Sequence, residues 1–537
     1  MQISPLVPIL CLLAGAFLVE LGALVRFRWP ALISVIATGA ATVALWLLRP
    51  RLPATVVVLD WRPVTAFGST ASLRVDGTAW LLGLALLLAG FSVALVWLAT
   101  PGQEHPAARG LTLAMLAVGL GSIFSANILS VALCWGMLDA LFCLTLLAHG
   151  GPTSGRRAQL ALGVNGLATL SVWVVAALIE QDHLSPYWHL LILPPTARIL
   201  MGLAAALRLG LYPLHIWQPV ELVGKSDRSL LIYLTPAMAG LALWARLTVM
   251  QGLPEGNLWP AVALVTALMG GVLAWIQPDP RESLPHLALG CGGMLILTAI
   301  VGKTPAAFAA GSASWLLGLT ALFVGRSFAR GVVQWLWAIP AALGVATLAG
   351  LPLTIGFASR AAFYQGATSG PIWIFILAIL AEALLIGAML RRLLTPDPTA
   401  LPPGKLAWIG YIAALIVAAA PVVILALPSL AAAPMTGLSA MAWVGWAAPL
   451  AGGATAAIMV ERLRPRLNRW EIVAGQVLRL DWLYSLVLNL TRGVARAGIW
   501  LADVLEGDGA FLWMFLILAL VLLYLRGPLS PSRGLGQ

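Results

Sequence analysis

Long apolar runs, each separated from the next by a few polar or charged residues, make up most of the chain. A helix that crosses a bilayer needs about 20 consecutive apolar residues. The pattern predicts an all-α polytopic membrane protein with about 14–16 transmembrane helices. The predicted spans are 5–25, 31–48, 78–99, 110–126, 127–148, 159–179, 196–212, 229–250, 258–276, 285–302, 306–324, 333–350, 371–390, 407–427, 436–460 and 509–526.

Two longer polar stretches interrupt this pattern. Apolar positions alternate at 56–59 within the stretch 49–77, which predicts a short hairpin. Charged residues alternate with Trp and Leu in 461–508, where Arg492 and Arg496 share a helical face. The second stretch therefore predicts an amphipathic helix at the membrane interface, followed by a last span.

Proline and glycine break the helical pattern at two places. Residues 207–219 include Pro213 and Pro219, and residues 349–360 include Pro352. Proline removes an internal hydrogen bond, and such a break persists in lipid only where protein or water satisfies the freed carbonyls. Interrupted spans at corresponding positions of two halves are typical of transport sites. Two ordinary proline kinks are the alternative interpretation.

Each break carries one arginine, Arg208 or Arg360, and their separation suits a repeat of five helices. We predict N-terminal helices in 1–109, a first repeat in 110–252, a second repeat in 253–400 and C-terminal helices in 401–537. Residues 1–26 lack a basic segment before their apolar run, so a retained first span is predicted rather than a signal peptide.

Composition excludes most soluble functions. Apolar residues make up 61% and charged residues 9% of the chain, against roughly half and a quarter in soluble domains. Soluble enzymes, nucleic-acid binders and disordered scaffolds are excluded, and the lipid bilayer is the predicted environment. The net charge of +11 comes from bases scattered singly between apolar runs, which indicates interface charges. No metal cluster or cofactor fingerprint is present, so no cofactor is expected.

Four titratable side chains lie in or beside apolar spans: Asp139, His215, His286 and Glu382. An ionisable residue at membrane depth costs about 2.5–3.5 kcal/mol, so a function is the default interpretation. The alternatives are a structural pair with an arginine for Asp139 and an ordinary interfacial histidine for His286.

Several short motifs occur in a fixed order along the chain. The first break reads RLGLYPLHIWQP at 208–219, and SLLIYLTPAM follows at 229–238. The second break reads AGLPLTIGFASRA at 349–361, LRVDG at 73–77 precedes the third span, and LDWLY lies at 480–484. Together they resemble the antiporter-like subunits of respiratory complex I, closest to the L-type, and their relatives in Mrp-type cation/proton antiporters and membrane-bound hydrogenases.

The resemblance implies two inverted five-helix repeats with discontinuous helices, each able to hold half of a proton channel. In that family a carboxylate on the fifth span pairs with a lysine of the first broken helix, and further lysines and histidines relay protons. The resemblance also implies other membrane-arm subunits as partners and a location in the cell inner (plasma) membrane. Redox chemistry would belong to those partners, with no catalytic centre in this chain.

The chain departs from the family at the relay positions. The two broken-helix lysines are replaced by Arg208 and Arg360. The fifth-span glutamate position holds Gly136, with Asp139 about one helical turn later. The histidine of the span after the first break aligns with Tyr233.

Two further relay positions are also changed, because the family's later histidine and lysine align approximately with Ser314 and Gly318. The residues predicted to form a proton path or its gates are Asp139, Arg208, His215, Tyr233, His286, Arg360 and Glu382.

The replacement of lysine by arginine changes the chemistry. A lysine amine has a pKa near 10.4 that burial lowers by several units, so it can exchange a proton near neutrality. A guanidinium is effectively never neutral, and deprotonating it at pH 7 would cost on the order of 7–8 kcal/mol. Arginine can hold a carboxylate ionised or gate a path, but it cannot relay protons.

Three functions compete. The first is a proton-translocating subunit of a complex-I-like NADH:quinone oxidoreductase assembly with a modified or impaired channel. The second is a non-conducting structural subunit. The third is an Mrp-like cation/proton antiporter or the membrane partner of an inorganic-carbon uptake complex.

Overall fold

The computed structural model describes residues 4–25, 29–59, 70–99, 106–148, 154–218, 230–254, 256–325, 334–395, 404–427 and 438–478, with scattered positions between 480 and 521. Contacts divide the chain into two units, Met1–Gly475 and Gln476–Gln537. Nearly all described positions of the second unit are helical.

Helices dominate the described residues, and thirteen of them are long and apolar enough to cross a membrane. This confirms the predicted all-α polytopic membrane fold. The elements are α1 (Leu6–Leu24), α2 (Pro30–Leu48), β1 (Ala54–Leu59), β2 (Ala71–Val75), α3 (Gly77–Ala99), α4 (Pro106–Phe124), α5 (Ile128–Ala148), α6 (Ser154–Gln181), α7 (Pro195–Leu209), α8 (Leu230–Val249), α9 (Leu258–Ile276), α10 (Leu284–Leu297), α11 (Pro305–Val324), α12 (Gln334–Leu348), α13 (Phe357–Ala367), α14 (Ile372–Leu394), α15 (Lys405–Ile424) and α16 (Ala440–Leu478).

The helices differ in how much of their surface is covered. The apolar windows of α8 and α11 are 100% buried, whereas that of α1 is 33% buried. A helix that is apolar on every side and covered on every side lies at the centre of a bundle. Helix α1 instead exposes large apolar side chains such as Phe17, as a lipid-facing helix does.

The hairpin predicted within 49–77 is present as an antiparallel pair, in which Ala54 of β1 lies opposite Val75 of β2. Asp76 follows directly and accepts a hydrogen bond from the backbone N–H of Ala79 at 2.8 Å. Its other carboxylate oxygen pairs with Arg246 of α8. The aspartate of the LRVDG motif thus ties the end of the hairpin to a central helix.

The first predicted break lies where α7 ends. Gly210 follows with φ of 72°, a left-handed conformation that glycine adopts without strain. The chain then passes Pro213 into a short 3-10 turn, Leu214–Trp217. The indole N–H of Trp217 donates to the carbonyl of Leu207 at 2.9 Å. A protein donor thereby satisfies a carbonyl of the broken helix, as a break in lipid requires.

The second break separates α12 from α13. Its Gly350 has φ of 67°, and a Cβ atom there would lie 2.2 Å from Cγ of Arg360. The indole N–H of Trp446 donates to the Gly350 carbonyl at 2.7 Å, and Nη2 of Arg360 donates to the Leu348 carbonyl at 3.1 Å. Glycine at 350 therefore makes room for the arginine that covers the end of α12.

Four of the described helices, α8, α9, α10 and α11, lie along the chain between α7 and α12, the helices that end at the two breaks. The inverted arrangement of two repeats remains a prediction. The repeat boundaries predicted at 110–252 and 253–400 remain a prediction.

The C-terminal part differs from the prediction in one respect. The span predicted at 436–460 continues as one helix of 39 residues, α16. The sequence suggested a separate element because charged residues begin at 461, but the backbone stays helical across that change. Side chains at 460–476 lie outside the description, so the amphipathic character of 461–508 remains a prediction.

Helices α9 and α10 approach each other through glycine. A Cβ atom on Gly270 would lie 2.4 Å from Cα of Gly290, and one on Gly293 would lie 2.6 Å from the Ala263 carbonyl oxygen. Small residues allow backbones to pack closely in membranes. A residue with a Cβ atom at either position would therefore push the two helices apart.

We predict that Gly270→Ala lowers the free energy of unfolding by about 1–3 kcal/mol, because the added methyl group overpacks the crossing. The control is Gly163→Ala on α6, where a Cβ atom has no neighbour within 4 Å. Thermal unfolding in detergent measures both. Equal stability of the two variants would contradict the close crossing.

Candidate functional site

Arg208 and Asp139 form a buried ion pair beside the first break. Nη2 of Arg208 lies 2.7 Å from Oδ1 of Asp139, and the side chains are 0% and 5% exposed. Thr169 of α6 donates to Oδ2 of Asp139 at 2.6 Å and accepts from Nη2 of Arg208 at 2.9 Å. Three helices, α5, α6 and α7, thus contribute one group each to a closed arrangement.

An aromatic ring supports the rest of the guanidinium. The Cζ atom of Arg208 lies 4.2 Å from the ring centroid of Trp135, one helical turn before Asp139. The Nε and Nη1 atoms are buried and have no hydrogen-bond partner among the residues that the structure describes. The attraction between a cation and an aromatic face therefore stabilises the side of Arg208 that Asp139 does not reach.

A second buried ion pair lies beside the second break. Nε of Arg360 is 2.7 Å from Oε1 of Glu382, and the side chains are 7% and 3% exposed. Tyr364 donates its hydroxyl to Oε2 of Glu382. Arg360 and Tyr364 lie four residues apart on α13, so both face α14, which carries Glu382.

The two ion pairs have the same arrangement of contacts. In each, one carboxylate oxygen contacts a guanidinium and the other accepts a hydrogen bond from a hydroxyl group, of Thr169 or of Tyr364. Removing one charge of a buried pair leaves the other uncompensated, which costs about 3–5 kcal/mol. A carboxylate can gain or lose a proton near neutral pH when its surroundings shift its pKa, whereas a guanidinium stays charged.

A small cavity adjoins the second pair. It has a volume of about 10 Å³ and is lined by Arg360, Ser359, Ser314 and Thr347, with Cys291 on the opposite helix. That volume is of the order needed for one water molecule. Ser314, which occupies the approximate position of a family histidine, donates to the Thr347 carbonyl at 3.2 Å.

Tyr233 of α8 contacts the segment of the first break. Gln218, after the first break, donates to the Tyr233 hydroxyl at 2.9 Å. Tyr233 stacks on Trp217, with 6.0 Å between ring centroids. The predicted residue Tyr233 is therefore positioned by the first break.

The two predicted histidines lie on different elements from the ion pairs. His215 is buried in the 3-10 turn after the first break and stacks on Tyr212 at 5.3 Å. His286 is buried near the start of α10, where its Nε2 lies 2.7 Å from Nε2 of Gln277. The roles predicted for both remain predictions, as do those of the other candidate residues.

Sequence reasoning missed two residues of the site. Tyr364 could have been found, because it lies four residues after Arg360 in a helical pattern. Thr169 carried no signal, since a threonine in an apolar span usually bonds its own helix. The described residues contain no group of three or more His, Cys, Asp or Glu side chains that could hold a metal ion.

Several known sequences are similar to this chain at low identity over long stretches. No protein-family model matches the chain. It is 24% identical over 343 residues to a probable A/B component of a K+/H+ antiporter in Rhizobium meliloti, a match that covers 58% of this chain and 34% of the relative. It is 27% identical over 414 residues to NADH-quinone oxidoreductase subunit N of Geobacter metallireducens, covering 69% of this chain and 83% of the relative. The chain thus spans about a third of the first relative's length.

Solved structures share the fold. A chain of the Mrp complex from Dietzia sp. DQ12-45-1b matches with a TM-score of 0.73 at 18% identity, covering 99% of this chain and 64% of that one. A chain of respiratory complex I from Thermus thermophilus matches with a TM-score of 0.64 at 18% identity, covering 84% and 99%. The fold is that of a multi-pass antiporter-like membrane subunit. The chain is a homologue of the antiporter-like subunits of Mrp antiporters and complex I, as its motifs predicted.

We predict that Asp139→Asn lowers the free energy of unfolding by about 3–5 kcal/mol, because it leaves the Arg208 charge buried and uncompensated. The double variant Asp139→Asn with Arg208→Gln should recover most of that loss. Thermal unfolding of the unchanged protein, the two single variants and the double variant completes the double-mutant cycle.

The control cycle uses Asp279 and Arg281, a looser pair at 3.8 Å whose aspartate is 44% exposed. An exposed pair contributes about 0–1 kcal/mol, so Asp279→Asn should change little. Equal losses in the two cycles would contradict a special energetic role for the buried pair.

Proposed function

We propose that the chain is an antiporter-like subunit of a multisubunit membrane complex and contributes to proton translocation through a gated channel. The observation that carries this proposal is the pairing of each broken-helix arginine with a buried carboxylate. The homologous sequences and the shared fold support the transport class.

The gate follows from the chemistry of the pairs. Asp139 and Glu382 are the proton-exchanging groups, and Arg208 and Arg360 hold them ionised. Protonation of either carboxylate leaves a guanidinium uncompensated in a medium of low dielectric constant, which raises the barrier to conduction. A conformational change or a neighbouring charge that draws the arginine away would let the carboxylate accept a proton. The channel is thereby impaired at rest relative to one built on lysine.

The assembly that we favour resembles complex I. The relative in Geobacter metallireducens carries the name of an NADH-quinone oxidoreductase component, and the match extends over most of its length. Other membrane-arm subunits would then be the partners, and electron transfer in them would drive the conformational change. The cell inner (plasma) membrane is the location that this role requires.

A second candidate is a component of an Mrp-type cation/proton antiporter. Two observations favour it: the match to a protein named as part of a K+/H+ antiporter, and the higher TM-score of the Mrp chain. Potassium-dependent proton movement by vesicles containing the assembled complex would distinguish it from the redox-driven role.

We predict that replacing both arginines by lysine, Arg208→Lys with Arg360→Lys, raises proton flux through the purified chain in vesicles. An exchangeable amine removes the fixed countercharge, and each 1.36 kcal/mol taken from the barrier gives about a tenfold gain in rate. A pH-sensitive dye inside vesicles, with an imposed potential, measures the flux.

Three further variants complete the test. Arg246→Lys is the matched control, because Arg246 is a membrane arginine paired with Asp76 outside the two breaks, and it should leave flux unchanged. Asp139→Asn and Glu382→Gln should abolish the gain in the double lysine background. If flux is the same in all these proteins, the proposed route through the pairs is wrong.

A further inference from the structure

A buried asparagine lies one helical turn from the first ion pair. Asn165 of α6 is 0% exposed, and its Nδ2 donates to the Ala161 carbonyl of the same helix at 3.0 Å. Its Oδ1 atom is buried and has no hydrogen-bond partner among the residues that the structure describes. Such an acceptor is costly inside a membrane bundle, where lipid cannot replace the lost water. A polar residue at this depth is therefore a candidate for a function.

Donors that lack acceptors lie close by, on Arg208. Its Nη2 atom contacts Asp139 and Thr169, whereas Nε and Nη1 are buried without a hydrogen-bond partner in the described part of the chain. The ring of Trp135 covers the guanidinium but supplies no oxygen to accept from these atoms. The first ion pair therefore leaves unused donors on Arg208 and an unused acceptor on Asn165.

The spacing along α6 places this acceptor within reach of the arginine. Asn165 lies four residues before Thr169, so both side chains leave the same face of α6, about 6 Å apart along its axis. That face contacts Arg208 through Thr169. Helix α6 also packs against the 3-10 turn Leu214–Trp217 that follows the break. A change of rotamer in a long side chain moves its head group over a distance of this order.

We propose that Asn165 is the acceptor that holds Arg208 when the ion pair with Asp139 opens. This inference rests on the proposed function, in which the guanidinium separates from its carboxylate before a proton binds. In the open arrangement Nε or Nη1 of Arg208 donates to Oδ1 of Asn165, so the cation stays hydrogen-bonded while Asp139 is neutral. Asn165 is then a positioning residue, because it exchanges no proton itself.

A neutral amide suits this role. Hydrogen bonds between a guanidinium and a carboxylate are strengthened by both charges, whereas an amide oxygen contributes no net charge. Arg208 therefore prefers Asp139 as long as that carboxylate is ionised, and it prefers Asn165 once Asp139 is protonated. The amide allows the arginine to return when the proton leaves.

The first test uses Asp139→Asn, which mimics the protonated carboxyl group, as the background for a change at position 165. In this background Asn165→Leu, which removes the acceptor, should lower the melting temperature of the purified chain in detergent by a further 1–3 °C or about that. In the unchanged protein the same substitution removes an unused acceptor, so we expect no decrease. An equal decrease in both backgrounds would overturn the proposal, because Asn165 would then serve the closed arrangement, for instance through a bound water molecule.

The second test does not depend on a loss of stability. In the Asp139→Asn background, Asn165→Asp places a carboxylate where we expect the guanidinium to move. It should restore more than half of the melting temperature that Asp139→Asn loses. If Arg208 cannot reach position 165, the new carboxylate is a second buried charge without a partner, and the melting temperature falls further. That fall would overturn the proposal.

The matched control places the same two substitutions at position 165 in the Glu382→Gln background. Glu382 pairs with Arg360 of α13, whereas α6 packs mainly on α5 and α7. Neither the further decrease nor the recovery should occur there, and their occurrence in both backgrounds would overturn the proposal. Because melting temperatures require no transport, a chain that conducts no protons would refute the proposed function without changing the outcome of this test.

Discussion

A guanidinium group buried in a membrane bundle needs a carboxylate beside it, and this requirement organises the centre of the protein. Charge at membrane depth is costly, and an arginine cannot escape the cost by losing its proton. The fold supplies Asp139 to Arg208 and Glu382 to Arg360, each at 2.7 Å. The breaks next to both arginines are stabilised by indole donors, so that charge and broken backbone are satisfied together.

The same constraint applies at both ion pairs. Each carboxylate also accepts a hydroxyl hydrogen bond, so a change at either arginine must rearrange three groups rather than two. Near the first break, Gln218 donates a hydrogen bond to the Tyr233 hydroxyl, and near the second, Cys291 lines the small cavity beside Arg360. The proposed gating therefore requires a second arrangement in which a guanidinium and its carboxylate separate.

Much of the fold could be predicted from the sequence because its signals are local. Apolar runs predicted the spans, proline and glycine predicted the breaks at 207–219 and 349–360, and alternation predicted the hairpin. The pairing of Arg360 with Glu382 could not be predicted, because the residues lie on separate helices whose packing decides which side chains meet. Asp139 was predicted both as a functional acid and as a partner of an arginine, and the structure shows its contact with Arg208.

We expect both carboxylates to remain ionised, because each is paired with a permanent cation. Infrared difference spectroscopy of the chain in lipid, recorded across the neutral pH range, reports the protonation state of individual carboxyl groups. Comparison with Asp139→Asn and Glu382→Gln assigns the bands. We predict that each variant removes an ionised-carboxylate band at every pH in that range. Loss of a protonated-carboxyl band instead would contradict this prediction.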